Sequence, residues 1–362
     1  MSEFKPGLEG VVAFETEIAE PDRDGGALRY RGVDIEELVG ARPFEHVWGL
    51  LVDGEPEPGL EPVAPYEGGN LTGDAPADLQ WAVARLSGEW GLHKLIDIDD
   101  EEAKRDLRRL SATMLSVAAQ SARIADGHRN RVPEATVAAG RTAAERFLLE
   151  WRGEADPSHV EAIDTYWICT AEHGLNASTF TVRVVASTGA DCGAALSAGV
   201  GALSGPLHGG APARVLPLLD AAAASGDVRG YVTGLLDRKE RLMGFGHRVY
   251  RAEDPRARLL RGTAARLGSP RFDVAEELER VALDELARRS PDRVLATNVE
   301  FWSAVVLDVA GVPPELAPAM FGCSRTAGWS AHILEQKRLG RLVRPSARYV
   351  GPAPRSLSAV GA

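Results

Sequence analysis

Helix-forming residues fill the stretch from residue 79 to residue 152, and this stretch constrains the fold more than any other feature. It is rich in Ala, Leu, Glu and Arg and poor in neighbouring β-branched residues, which favours successive helices. Residues 158–188 continue the pattern with a break near Gly174, and a further helical run over 315–339 ends at Gly340, a typical C-terminal stop. Strand signals are few and no strand–helix alternation recurs. The sequence therefore predicts a mostly α-helical fold.

Prolines, glycines and capping residues mark where the helices are interrupted. A short helix is predicted at residues 34–38, and the Pro- and Gly-rich residues 52–80 predict a long surface connection. Asp273 and Glu276 fit a capping box at the start of another helix. Gly and Ala recur at close spacing over residues 189–212, which indicates a tightly packed helix pair or a subunit contact, because small side chains let backbones approach each other.

The length and the net charge limit the domain organisation and the ligands. The chain has 362 residues and a formal net charge of −11. A single hydrophobic core stops growing near ~250–300 residues, which favours one large domain plus a smaller one. The acidic balance argues against nucleic-acid binding, so a polyanionic ligand would need a local cluster of arginines. Because we see neither a secretion signal nor an apolar run of the ~20 residues that a membrane span needs, we expect a cytoplasmic protein.

The cysteines, a glycine-rich segment and the histidines each have a simple structural interpretation. Three scattered cysteines predict free buried thiols rather than a disulfide framework: Cys169, Cys192 and Cys323. The glycines between residues 199 and 205 miss the spacing of a dinucleotide-binding loop and follow an Ala-rich helical stretch, so helix packing is favoured. No histidine pair has metal-ligand spacing, and no metal is expected. The alternative, a metal site, would require four residues to converge from distant segments: His173, His208, His247 and Glu300.

Four segments place polar residues in apolar, glycine-rich surroundings. They are AEHGLNAST at residues 171–179, GPLHGGA at 205–211, MGFGHRVYR at 243–251 followed by DPR at 254–256, and TNVEFW at 297–302. Glycines beside His208 and His247 let the backbone approach a ligand closely. A lone histidine is more often a core or surface residue than a catalyst, but the four segments together indicate one functional site.

These segments resemble the citrate synthase family. The matching motifs are EHGLNAST, GPLHGGA, MGFGHRVYRAEDPR, NVEFWS, CSRTAGWSAHILEQ and RPSARYVG, in the family's order and spacing, with weaker similarity beginning at Gly7. The motifs are most similar to the compact bacterial type found in actinobacteria. The resemblance implies an all-α, two-domain subunit that forms a homodimer, with a large domain of residues 1–208 and 312–362 and a small domain of residues 209–311.

The resemblance also implies an activity. It would be an acyltransferase of the tricarboxylic acid cycle that condenses acetyl-CoA with oxaloacetate and water to citrate and CoA, through an enolate or enol and citryl-CoA. No permanently bound cofactor is implied. Glu300 would be the base that removes a methyl proton, His208 the neutral donor to the thioester oxygen, and His247 the group that polarises the ketone.

Arginines and a glycine loop would bind the two anionic substrates. By resemblance, Arg256 and Arg325 bind the oxaloacetate dianion, with His173 at a further contact. Arg344 matches the arginine that reaches the active site of the neighbouring subunit. The residues that the resemblance implies for CoA are Gly244, Phe245, Gly246 and Arg251.

One position departs from the family's pattern, because the base is usually aspartate and Glu300 stands in its place here. The two carboxylic acids have similar intrinsic pKa values, but one methylene moves the carboxylate by roughly 1 Å, and such a misplacement can cost ~10²-fold in rate. We expect the backbone to retreat and compensate. Two alternatives remain: a 2-methylcitrate synthase that uses propionyl-CoA, and a catalytically degenerate paralogue that binds CoA without turnover.

Overall fold

Helices form most of the described chain, as the sequence predicts. The computed structural model describes residues 4–22, 26–206, 208–209, 214–246, 253–291 and 295–356. Up to residue 203 the helices are α1 (Ile35–Leu38), α2 (Phe44–Asp53), α3 (Ala75–Glu89), α4 (Asp100–Ala125), α5 (Glu134–Ala138), α6 (Ala143–Arg152), α7 (Pro157–Thr170), α8 (Ala177–Ser187) and α9 (Cys192–Leu203). Beyond it are α10 (Val215–Ser225), α11 (Val228–Asp237), α12 (Pro255–Arg266), α13 (Phe272–Arg289), α14 (Val299–Val309) and α15 (Ala317–Leu339).

A small antiparallel sheet precedes the helices, and it was not predicted from the sequence. Its strands, in the order β1-β2-β3, are β1 (Ala19–Asp22), β2 (Ala27–Tyr30) and β3 (Val33–Asp34). Leu28 and Tyr30 alternate with more exposed neighbours and are buried against the helices. Two of the strands have four residues and the third has two. Alternation identifies a strand in a sequence over four to eight residues, so these strands give at most a minimal signal.

Two of the predicted helix boundaries shift in the structure, and one is confirmed. Asp34 caps α1 by accepting a hydrogen bond from Glu36 N at 3.0 Å, so the predicted short helix is confirmed. The surface connection ends earlier than predicted, because α3 begins at Ala75. The capping box at Asp273 is wrong: α13 already begins at Phe272 and has no side-chain cap, because the chain enters it through the helical backbone of Arg271.

The glycines of α9 allow close helix packing, which confirms the packed-helix interpretation of this segment. A β-carbon on Gly193 would lie 2.1 Å from Ser87 Oγ of α3. A β-carbon on Gly199 would lie 2.6 Å from Val182 of α8 and 3.2 Å from the Trp329 ring of α15. Larger side chains would therefore separate α9 from three neighbouring helices, and the spacing of the glycines serves packing rather than a phosphate.

The long helix α15 passes through the core, and α10 to α14 pack among themselves. α15 is buried over almost all of its length and packs against α2, α4, α7, α8 and α9. It ends at Gly340, whose φ of 63° confirms the predicted C-terminal stop. α10, α11 and α13 pack against one another, whereas α12 and α14 pack together and against α7. These two helices therefore connect the α10–α14 group to the rest of the chain.

The cysteines are free and buried, as predicted, and the described residues contain neither a membrane-spanning helix nor a metal-binding cluster. Cys169, Cys192 and Cys323 are buried and free. No helix in the described ranges combines the length and the apolar character that a membrane crossing requires. No cluster of three or more His, Cys, Asp or Glu side chains suited to a metal occurs in that same part of the chain. His247, one member of the metal alternative, lies outside the described residues.

A buried carboxyl group makes the stability of the fold depend on pH. Glu150 of α6 is 6% exposed and accepts hydrogen bonds on Oε1 from Ser116 Oγ at 2.6 Å and from Gln120 Nε2 at 2.8 Å. Burial raises its pKa from 4.5 to about 7, although these hydrogen bonds and the charge of Arg131 oppose the change. Stability that is present below pH 4.5 is therefore lost as the pH rises towards 7, by about 3 kcal/mol at most.

We expect Glu150→Gln to stabilise the protein at pH 8 and to change little at pH 4.5. The amide oxygen of glutamine can accept the same two hydrogen bonds, and the side chain stays neutral at both pH values. Urea unfolding of both proteins at the two pH values measures the effect. An equal change in the free energy of unfolding at both pH values would show that ionisation of Glu150 is not the cause.

Candidate functional site

Arg325 places a buried positive charge at the centre of the predicted site. The side chain is 2% exposed and its Nε donates to the backbone oxygen of Thr170, at the end of α7, at 2.6 Å. Its guanidinium carbon lies 4.7 Å from the ring centroid of Phe321, one turn earlier on α15. Its Nη1 has no hydrogen-bond partner among the described residues. A buried donor of this kind is available to an anionic ligand.

His208 lies near Arg325 and is held by a serine. Its Nε2 is 2.9 Å from Ser178 Oγ, and its ring centroid is 6.1 Å from that of Phe321. Burial, together with the charge of Arg325, lowers the pKa of His208 to about 4, so the imidazole is neutral near pH 7. The neutral state is the one predicted for a hydrogen-bond donor to a ligand oxygen.

The tautomer of His208 depends on the direction in which the Ser178 hydroxyl donates. Trp329 Nε1 donates to Ser178 Oγ at 3.3 Å, so the single hydroxyl proton is directed to Asn176 Oδ1 or to His208 Nε2, both at 2.9 Å. When Ser178 donates to Nε2, the proton of His208 lies on Nδ1, which can then donate to a ligand. Ser178 and Trp329 were not predicted as site residues, although they lie within the motifs EHGLNAST and CSRTAGWSAHILEQ.

Arg256 is fixed by a carboxylate at the start of α12. Asp254 caps the helix by accepting from Arg256 N at 3.0 Å, and it also accepts from Arg256 Nε at 2.9 Å and Nη2 at 2.7 Å. Both side chains are buried. Arg256 opposes the rise in the pKa of Glu300, so its charge acts in the neighbourhood of the predicted base. Because Nε and Nη2 of Arg256 both donate to Asp254, the guanidinium has a fixed orientation.

Glu300 lies in the first turn of α14 with a perturbed pKa. The helix is capped by Asn298, whose Oδ1 accepts from Glu300 N at 3.0 Å. A helix N-terminus favours a negative charge and would lower the pKa of a carboxyl group. Burial nevertheless raises the pKa of Glu300 to about 7, with Arg256 acting in the opposite direction. The cost of desolvation therefore exceeds the effect of the arginine, as a base working near neutral pH requires.

The predicted CoA loop is joined directly to the segment that carries Glu300. Gly246 N donates to Ala296 O at 2.8 Å, Asn298 N donates to Gly244 O at 2.9 Å, and Asn298 Nδ2 donates to Gly246 O at 3.2 Å. Gly244 has φ +89°, and a β-carbon there would lie 2.7 Å from Cβ of Phe301. The ring centroids of Phe245 and Phe301 are 5.3 Å apart. The glycine is therefore required, and the loop and the helix start form one unit.

His173 lies in the turn between α7 and α8, which Tyr30 holds from the sheet. His173 is buried. The Tyr30 hydroxyl donates to Ile168 O at 2.9 Å and accepts from Glu172 N at 3.3 Å. Tyr30 and Glu172 were not predicted as site residues. The only signal for Tyr30 was weak similarity in LRYRG at residues 28–32, and Glu172 was quoted only as a neighbour of His173.

Three further predicted residues remain, and the structure describes only Arg344 among them. His247 and Arg251 lie outside the described residues. Arg344 is exposed on the extended chain after Gly340, where the neighbouring Val343 N donates to Ser187 Oγ at 3.0 Å. No contact joins Arg344 to the other predicted residues within the described ranges.

A large cavity adjoins the loop but not the side chains that are predicted to be catalytic. It has a volume of about 1000 Å³ and is lined by α12, α13 and the segment before α14, including Arg261, Glu276, Arg280, Leu295 and Thr297. The backbone of this segment is the part that bonds Gly246. Its lining includes neither His208 nor Glu300 nor Arg325. The cavity is therefore separate from the buried arginine.

Known proteins are similar to this chain over almost its whole length. A sequence model described as "Citrate synthase, C-terminal domain" matches residues 7–63 and 72–346. A Mycobacterium tuberculosis protein named "Putative citrate synthase 2" is 61% identical over 358 residues, which cover 99% of this chain and 95% of that protein. The 2-methylcitrate synthase of Shewanella oneidensis is 33% identical, over 97% of this chain and 96% of that protein.

A solved structure has the same fold. It is the ternary complex of the citrate synthase from Thermoplasma acidophilum with carboxymethyl coenzyme A and oxaloacetate. The TM-score is 0.86 and the sequence identity is 27%, with 98% of each chain covered. The similarity therefore includes the helical architecture as well as the motifs.

We expect Asn298→Ala to destabilise the protein by ~1 kcal/mol, because the N-cap of α14 is lost. It also removes the hydrogen bond to Gly246 O, so amide exchange at Gly246 should become faster. Asn298→Ser is the matched control, since serine can cap the helix but cannot reach Gly246 O. Urea unfolding and hydrogen exchange measure the two effects. Equal stability of the Ala and Ser variants would contradict the role of the cap.

Proposed function

Because the chain belongs to the citrate synthase family of acyltransferases, we propose that it condenses acetyl-CoA with oxaloacetate and water and releases citrate and CoA. The observation that carries the proposal is Glu300, a carboxyl group whose pKa burial raises to about 7. It shares a neighbourhood with the neutral His208 and the buried Arg325, since Arg256 acts on Glu300 and on Arg325, and Arg325 acts on His208. A base, a neutral donor and an anion-binding arginine are the groups that this reaction requires.

The first chemical step is removal of a proton from the methyl group of acetyl-CoA. Glu300 accepts this proton, and the negative charge moves to the thioester oxygen. His208 Nδ1–H donates to that oxygen, with Ser178 holding Nε2 on the other side of the ring. Because its pKa is about 4, His208 is neutral when it donates and adds no further buried cation to Arg325 and Arg256.

The second substrate is a dianion, and arginine charges would bind it. Arg325 Nη1 offers a buried donor, and the bidentate Asp254 pair orients Arg256 at the same site. His173 lies on the turn beside Glu172. His247 is assigned to the ketone of oxaloacetate by its motif alone.

CoA would be recognised by the backbone of Gly244, Phe245 and Gly246, with Arg251 assigned to the phosphates by its motif. The Thermoplasma acidophilum enzyme was solved with carboxymethyl coenzyme A and oxaloacetate together, which supports the same pair of ligand classes for this chain. Because Gly244 and Gly246 are bonded to the segment before Glu300, binding of CoA would also fix the base.

We also propose a homodimer of two-domain subunits. The large domain would comprise residues 1–208 and 312–362 and the small domain residues 209–311, in agreement with the packing of α10 to α14 on one another. Arg344 would complete the active site of the partner, since it is exposed and makes no contact with the described site residues of its own chain.

We expect Glu300→Gln to lower kcat by ~10²–10⁴-fold, because a general base contributes about this factor. In the unsubstituted protein, kcat/KM for acetyl-CoA should rise with pH and level off above about 7, where Glu300 is ionised. Oxaloacetate-dependent release of the CoA thiol measures both quantities.

Glu300→Asp is the matched control, since it keeps the carboxylate and shortens its reach. It should retain activity to within ~10²-fold of the unsubstituted protein. An unchanged rate in Glu300→Gln would refute the role of Glu300. No thiol release by the unsubstituted protein would favour the catalytically degenerate alternative.

The similarity to a 2-methylcitrate synthase favours one competing substrate, propionyl-CoA. We expect acetyl-CoA to be preferred, by a factor within the ~10–200-fold that one methylene can supply in a pocket. Competition of the two thioesters for oxaloacetate, with products separated by mass, measures the ratio. Equal or preferred use of propionyl-CoA would assign the protein to the alternative reaction.

A further inference from the structure

Glu172 lies against α15 between Arg325 and His332. Gly328 and His332 follow Arg325 by three and seven residues, so the three residues share one face of the helix. A β-carbon on Gly328 would lie 2.1 Å from Glu172 Oε2, and Gly328 N donates to Ala171 O at 3.2 Å. The glycine thus makes room for a buried carboxylate one turn from Arg325.

His332 holds the Glu172 carboxylate, and its partners fix its tautomer. His332 Nδ1 is 2.9 Å from Arg183 Nη1 and Nε2 is 3.2 Å from Glu172 Oε1. An arginine has donors only, so Nδ1 must accept and the proton of the neutral ring must lie on Nε2. His332 Nε2–H therefore donates to Glu172. All three side chains are buried.

Arg183 is itself fixed from the protein surface. Its Nε donates to Gln336 Oε1 at 3.1 Å, and it forms an ion pair with Glu335. Glu335 Oε1 accepts from Glu17 N at 3.0 Å and from Thr16 Oγ1 at 3.2 Å. The orientation of His332 is thus determined on the side away from the site.

Glu172 and Arg325 attract each other but are kept apart. Burial alone would raise the pKa of Glu172, but the hydrogen bond from His332 and the charge of Arg325 lower it overall, so the carboxylate is ionised. In the part of the chain that the structure describes, Arg325 Nη1 and Glu172 Oε2 nevertheless have no hydrogen-bond partner. An arginine and a carboxylate at this depth would gain much from direct pairing.

We propose that His332 is a positioning residue that keeps Glu172 from pairing with Arg325, so that Arg325 remains available for a carboxylate of oxaloacetate. The inference rests on the proposed function, in which Arg325 binds oxaloacetate. Without the hydrogen bond from His332, Glu172 turns towards Arg325 and competes with the substrate. If the paired form then makes up 90–99% of the free protein, the apparent affinity for oxaloacetate falls by about 10–100-fold.

Two substitutions of His332 separate its two hydrogen bonds. Asparagine places an amide oxygen near Nδ1 and keeps the acceptor for Arg183, but it loses the donor to Glu172. Glutamine places an amide nitrogen near Nε2 and keeps the donor to Glu172. We expect His332→Asn to raise KM for oxaloacetate by about 10–100-fold. We expect kcat to change little in both variants, and KM to stay near its original value in His332→Gln.

Glu172→Gln distinguishes competition from a general disturbance. The amide oxygen of the substituted side chain still accepts from His332, but the side chain carries no charge and pairs poorly with Arg325. Added to His332→Asn, it should restore KM for oxaloacetate to near its original value. Alone, it should leave this KM unchanged or lower it, and this holds even if His332→Asn does not fold. The proposal is overturned by a raised KM in Glu172→Gln alone, or by no recovery in the double variant.

Arg325→Leu, measured in the same assay, separates this inference from the proposed function. If it leaves KM for oxaloacetate unchanged, the role proposed for Arg325 fails. If Arg325→Leu raises KM and the folded His332→Asn does not, the role of Arg325 stands and only the inference about His332 is refuted.

Discussion

The buried guanidinium of Arg325 is the interaction on which the rest of the site depends. A charge in the interior is costly unless nearby groups compensate it. The compensation comes from Thr170 O, from the face of Phe321 and from the charge of Glu172. Two of these groups belong to the end of α7 and the turn after it, so that region has to approach α15 closely. Gly328 permits the approach, and the same turn carries His173.

Close packing of helices brings His208, Ser178 and Trp329 together. α9 lies against α8 and α15 because it has glycine where a larger residue would collide with Val182 or Trp329. Ser178, at the start of α8, and Trp329 of α15 then share a hydrogen bond, and His208, which follows α9, meets the same hydroxyl. The small residues that first appeared as a packing feature thus help to position the neutral imidazole of His208.

The sequence predicted the helical class, the free cysteines and the stop of α15, because each depends on local composition or on a single residue type. It could not predict the contacts of Tyr30, Glu172, Ser178 and Trp329, since these contacts arise only when separate helices pack. The two- and four-residue strands and the start of α13 were missed because tertiary context outweighs weak local signals there. The roles of the site residues came from the motifs, and all of them remain predictions; of these residues, His247 and Arg251 also lie outside the described part of the chain.

The hydrogen bonds of Asn298 limit how the chain can accommodate Glu300, whose side chain is one methylene longer than aspartate. Asn298 caps α14 and also holds the backbone of Gly246, while Gly244 is bonded to Asn298 N. The helix start therefore cannot retreat alone to absorb the extra methylene of Glu300. Any displacement would carry the loop of Gly244 and Gly246 with it, so the positions of Glu300 and of this loop are coupled. If only residue 300 were changed to aspartate, the loop of Gly244 and Gly246 would keep the position that suits the longer glutamate side chain.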